Sequence, residues 1–169
     1  MTIAPEWFAR VGTPIDDRDR DDIAAIMRIR GIGHAADIVL ARNWYAADAW
    51  INSDQSAASW DDDEDERERL WLQLAEEIPE SELLARLATI VEVAAPAVRA
   101  AAASAAAREF DTAPDLIDTA TAAALLCLHQ HALAELAGIG DEHPFARKYA
   151  LFARGRWPLG YQAGRYGVY

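Results

Sequence analysis

Alanine dominates two long stretches, Ser81 to Phe110 and Thr112 to Ala137. A chain written this way has little choice but helix, because alanine loses no side-chain entropy when the backbone coils. In the second stretch Leu125, Leu128, Ala132, Leu136 and Ile139 recur at helical spacing and draw an apolar stripe. Thr112 is read as its cap with Pro114 just inside the first turn, and Gly138 and Gly140 as its stop. In the first stretch Ser81 is the expected cap, and Leu83, Leu84, Leu87, Ile90 and Val91 are the expected core positions. Pro96 removes a backbone donor and crowds the preceding turn, so a break or kink is expected there, with helix resuming from Ala97 to Phe110.

Shorter helices are predicted on both sides. Asp16 to Arg30 opens on acidic residues and ends on Arg28 and Arg30, the order the helix dipole favours, with Ile23, Ile26, Met27 and Ile29 on its apolar face. Its cluster Asp17 to Asp22 is punctuated by Arg18 and Arg20 and reads as local ion pairing on a solvated face. A second helix is expected from about Gly33 to Trp50, including Ile38, Leu40, Trp44 and Tyr45, and a loop from Asn52 to Ser59. Asp61 to Glu66 reads as an acidic helix start leading to Leu70, Trp71 and Leu74, closed by Pro79. A short helix from Pro144 carries Phe145, Tyr149, Leu151 and Phe152.

The segment from Gly155 to Tyr169 differs in kind. Glycines and aromatics at this density predict a short hairpin turning at Ala163 and Gly164. Such a hairpin is marginal alone, so it must pack on the helices through Trp157, Tyr161 or Tyr166. The fold expected is mainly α: a compact multi-helix domain of about six helices spanning 1–169, with a C-terminal β-hairpin or extended aromatic tail, 155–169, packed on it.

A chain of 169 residues buries roughly 70% of its unfolded surface, so neither disulfide nor metal is needed to hold it together. Cys127 is the single cysteine, which excludes an internal disulfide and points to a reducing, cytoplasmic setting. The first ten residues lack the pattern of a signal peptide, and no run reaches the roughly 18 apolar residues of a membrane span. A net charge of -12 repels nucleic acid and anionic membrane alike. The charge is uneven: 26 acidic against 11 basic residues up to residue 140, then 2 against 5 from Asp141 onward.

Several constellations could carry chemistry. Asp61, Asp62 and Asp65 have the spacing of an aspartate-rich magnesium motif, with a solvated helix start as the plainer reading. Cys127, His131 and Glu135 follow one another at four-residue steps and are all zinc-ligand types. Three such positions span about 12 Å of helix axis, so one ion reaches two of them, and a buried Glu135 would need a partner such as arginine. His129 points away from His131, and the three-residue spacing of His34 and Asp37 would allow an imidazole–carboxylate pair, with no nucleophile beside it and a solvent-facing pair as the plainer reading. Gly31-Ile32-Gly33 joins helices and is no dinucleotide fingerprint, and Lys148, the single lysine, follows no glycine-rich phosphate loop.

In the tail Arg147, Lys148, Arg154, Arg156 and Arg165 are interleaved with Tyr149, Phe152, Trp157, Tyr161 and Tyr166. The aromatics either seal the helical core or, with the arginines, form a protein interface or a small-anion pocket. The leading functional reading is a non-enzymatic acidic interaction protein, of the bacterial immunity or antitoxin type, that steers toward a basic protein partner. Its contacts would be Asp17, Asp61, Asp62 and Asp65 on the acidic side and Arg154, Arg156 and Trp157 in the tail, with no cofactor. One alternative is a metal-assisted hydrolase or nucleotide-handling enzyme using magnesium at Asp61, Asp62 and Asp65 or zinc at Cys127 and His131. The other is a homo-oligomeric structural module whose tail buries against an identical subunit.

Overall fold

The computed structural model describes residues 5–32, 37–109 and 113–169. Among them are six α-helices and a small three-stranded sheet, a mainly α architecture with strands at its C-terminal end. The helices are α1 (Asp17–Ile29), α2 (Trp44–Ile51), α3 (Ala57–Ala75), α4 (Glu80–Ala106), α5 (Pro114–Leu136) and α6 (Pro144–Ala153). The strands are β1 (Ile38–Leu40), β2 (Pro158–Gln162) and β3 (Arg165–Val168), in the order β1-β3-β2. No helix among the described residues is long and apolar enough to cross a membrane.

Local chemistry accounts for most of these boundaries. Asp16 caps α1 through a reciprocal capping box with Asp19. Pro114 occupies the first turn of α5, and Gly138, with φ +69°, follows its end. The expected cap Thr112 lies outside the described residues. His143 opens α6, its Nδ1 accepting from the backbone N–H of Phe145 at 3.2 Å. The hairpin turns where expected: Ala163 and Gly164 both have positive φ, 48° and 74°, the conformation whose twist matches that of the flanking strands.

Four local expectations are corrected. Residues 38–40 form β1, parallel to β3 with Ile38 opposite Tyr166 and Leu40 opposite Val168, so the second helix begins only at Trp44, where Asn43 accepts from the backbone N–H of Ala46 at 2.8 Å. The β-branched pair Ile38-Val39 favours the pleated conformation. The expected loop 52–59 instead contains a 3-10 turn at Asp54–Ser56 and the start of α3, which sets the acidic run inside the helix rather than at its start. Pro79 does not close α3 but caps α4, displacing Ser81 from that role. Finally, α4 runs unbroken through Pro96. Pro96 and Glu92 both lie on the exposed side of the helix, where a carbonyl that loses its helical partner is open to solvent rather than enclosed in the core.

Helix α5 is the spine. Its first half joins α2, α4 and the tail around Trp44, Val98, Ala120, Ala124 and Trp157. Its second half joins α3, α4 and Phe145 around Leu70, Leu83, Leu87 and Leu133. A third apolar cluster, Ile23, Ile26, Met27, Leu151, Tyr166 and Val168, binds α1 to α6 and the sheet. The sheet lies close against α2: a Cβ on Gly167 would meet Trp50 Cε2 at 2.5 Å, so only glycine fits there. Tyr169 and Trp157 exchange backbone hydrogen bonds of 2.7 and 2.8 Å, which fixes the tail against the helices.

Candidate functional site

Asp19 and Asp22 sit three residues apart on α1, on the face that also carries Ile23, Ile26 and Met27. They are buried, and both are met by guanidinium groups from the far end of the chain. Arg156 donates to Asp19 at 2.8 Å, Arg154 to Asp19 at 3.1 Å and to Asp22 at 2.6 Å, and Arg147 to Asp22 at 2.8 Å. Arg156 also donates to the carbonyls of Arg10 and Thr13 at 2.7 and 2.6 Å. The expectation of a solvated α1 face with local ion pairs is therefore corrected for these two aspartates: the pairing is distant and internal.

A second ionic cluster holds α3. Asp63 accepts from Arg30 and from Lys148, each at 2.7 Å. Burial opposes the charge on Lys148, but the adjacent Asp63 outweighs it and holds the amine above its ordinary value. Next to it, Asp62 accepts from the hydroxyl of Tyr161. Burial first, and Asp62 second, push the Tyr161 phenol well above its usual range. Further along α3, Glu66 lies 2.6 Å from Nε2 of His143 and accepts from Arg69 at 2.8 and 2.7 Å.

The residues singled out from the sequence are thus divided. Arg156 and Trp157 are at 0% exposure and Arg154 is engaged by Asp19 and Asp22. The reading of Arg156 and Trp157 as partner contacts gives way to internal packing, whereas Arg154, held by the two aspartates, still lines a surface cleft. Asp17, Asp61 and Asp65 are exposed, and Asp62 is turned toward Tyr161. Cys127 is buried and its thiol is pushed up to about 12 by that burial. His131, one turn on, lies flat on the ring of Tyr149, with centroids 4.3 Å apart and planes 14° from parallel. Glu135 is exposed, which corrects the expectation that it is buried and in need of an arginine. Among the described residues no three His, Cys, Asp or Glu side chains are grouped to hold a metal ion, so neither Asp61, Asp62 and Asp65 nor Cys127 and His131 gather into a larger set. His34, the proposed partner of Asp37, lies outside the described residues.

Comparison with known protein families, curated proteins and solved structures returned no match.

Two surface features remain. The outer face of α3 carries Asp61, Asp65, Glu68 and Leu72 at positions i, i+4, i+7 and i+11, all exposed, Leu72 at 60%. The arginines of this helix are committed beside the stripe, Arg67 to Glu64 and Arg69 to Glu66. Asp61 and Asp65 stand out in the sequence, whereas Glu68 and Leu72 do not, although their offsets of 7 and 11 residues from Asp61 were the available signal. The second feature is a cleft of about 490 Å³ between α1, the end of α5 and α6. His131 and Tyr149 line it together with Arg18, Arg154 and Asp141. Its residues come from three separated segments, so periodicity within any one of them gives no sign of it.

Proposed function

We propose that this chain is a non-enzymatic acidic interaction protein that binds a basic protein partner through the outer face of α3, in the manner of an immunity or antitoxin-type inhibitor. The observation that carries the reading is the exposed stripe of Asp61, Asp65 and Glu68 around the solvent-facing Leu72. Carboxylates on one helix face repel one another mildly, and a cationic surface relieves that repulsion while a central leucine adds apolar contact. The inward turn of Arg147, Lys148, Arg154 and Arg156 supports the same reading, because these cations are engaged by Asp19, Asp22 and Asp63 and do not offset the outer carboxylates. Long-range attraction would speed encounter with a basic partner and weaken as salt rises. A reducing cytoplasm fits the lone thiol of Cys127.

Affinity capture from a lysate of the native cells, eluted in salt steps, tests the proposal. A basic protein recovered in stoichiometric amount and released by salt is the expected result. Recovery of the chain alone, or only of itself as an oligomer, would overturn it.

A further inference from the structure

The cleft between α1, α5 and α6 is independent of the acidic face of α3 and has the size of a small-metabolite site, about 490 Å³. Its floor includes the stacked rings of His131 and Tyr149. Burial lowers the affinity of His131 for a proton, against the pull of Glu135 and Asp141, so the imidazole is uncharged at neutral pH. Its Nδ1 is enclosed with no hydrogen-bond partner among the described residues. Burial likewise keeps the Tyr149 phenol protonated.

Charge enters from the walls and carries both signs. Arg154 uses Nε and Nη2 on Asp19 and Asp22, which leaves Nη1 without a hydrogen-bond partner among the described residues. Arg18 makes no ion pair among the described residues, and neither does Asp141, which also lines the cleft. Asp21 lines it too, and Asp22 is already met by Arg147 and Arg154. An anion alone would approach Arg18 but also face Asp21 and Asp141, and a cation alone would meet the reverse conflict. A molecule with one group of each sign satisfies both walls. We propose that this cleft binds a small zwitterion of the amino-acid type, its carboxylate held by Arg18 and Nη1 of Arg154 and its ammonium by Asp141, above the His131 and Tyr149 rings.

The test is saturation-transfer NMR on the full chain with the proteinogenic L-amino acids, with acetate and methylammonium as single-charge controls, while the His131 ring resonances are followed. At least one amino acid should bind and shift His131, with neither control doing so. Arg18→Ala and Asp141→Asn should each weaken that binding about tenfold or more without changing the melting temperature, because both side chains are exposed and make no ion pair among the described residues. The proposal is overturned if no amino acid binds, if binding ignores both substitutions, or if acetate alone binds as tightly.

Discussion

Arg156 donates its Nε–H to Oδ2 of Asp19 at 2.8 Å, with both side chains at 0% exposure, and so joins the C-terminal segment to the first helix through a dry ion pair. Removing Arg156 leaves Asp19 with the longer bond from Arg154 at 3.1 Å, so the cost is at most that of breaking a buried pair outright, about 3–5 kcal/mol. Arg156→Ala should therefore lower the urea midpoint. Replacing both residues with apolar ones of similar volume, Asp19→Leu with Arg156→Met, should cost less than the sum of the single changes. Additive losses would show that the two residues are not coupled.

Trp157 stands in an aromatic cluster, its ring centroid 5.4 Å from Trp44 and 6.0 Å from Phe8. Trp157→Ala opens a large cavity where helices and tail meet, a change that costs about 3–5 kcal/mol in well-packed cores. A melting temperature that stays unchanged in this variant would contradict the packing described for the tail.

These two residues also show what the sequence makes legible. Helical period and alanine content identify the helices, and glycine next to alanine between aromatic residues identifies the hairpin, because both are local signals. The internal role of Asp19 and Asp22 is not legible, because Arg18 and Arg20 supply nearer partners in the sequence, although a helical wheel places the two aspartates in the same arc as Ile23, Ile26 and Met27. Their partners Arg154 and Arg156 lie more than 130 residues away, beyond any periodic signal. Strand β1 escaped for the same reason. It has three residues, and its pairing with β3 joins residues 38–40 to 166–168. Of the candidate contacts, Asp61 and Asp65 of α3 were readable from spacing and Glu68 was not, whereas the cleft around His131 exists only through tertiary packing.

Cys127 is wholly enclosed, with its thiol pushed up to about 12 by burial. Thiolate is the reactive form, so the native protein should resist a disulfide reagent such as dithionitrobenzoate at neutral pH and react with one equivalent on denaturation. Rapid reaction of the folded protein would place the thiol in contact with solvent instead.

Glu66 accepts from Arg69 first and His143 second, and against the cost of burial these bonds hold its carboxyl at about 2, below the ordinary 4.5. A carboxylate with a depressed folded pKa contributes stability that is complete above 4.5 and is lost as pH falls toward 2. Glu66→Gln should flatten the decline in stability across that window while lowering stability at neutral pH. Denaturant midpoints measured through the acid range give the comparison, and identical acid limbs for the two proteins would count against the depressed pKa.

The central functional claim is that the outer face of α3 meets a basic partner, and charge reversal tests it most directly. Asp61→Lys, Asp65→Lys and Glu68→Lys are combined in one variant, and Glu92→Lys with Glu135→Lys serve as a control at exposed carboxylates on other helices. Capture of the basic partner from lysate is then quantified for both. The account predicts a loss of about tenfold or more in capture by the α3 variant, full capture by the control, and unchanged melting for each. Equal capture by the two variants would show that the α3 face is not the contact.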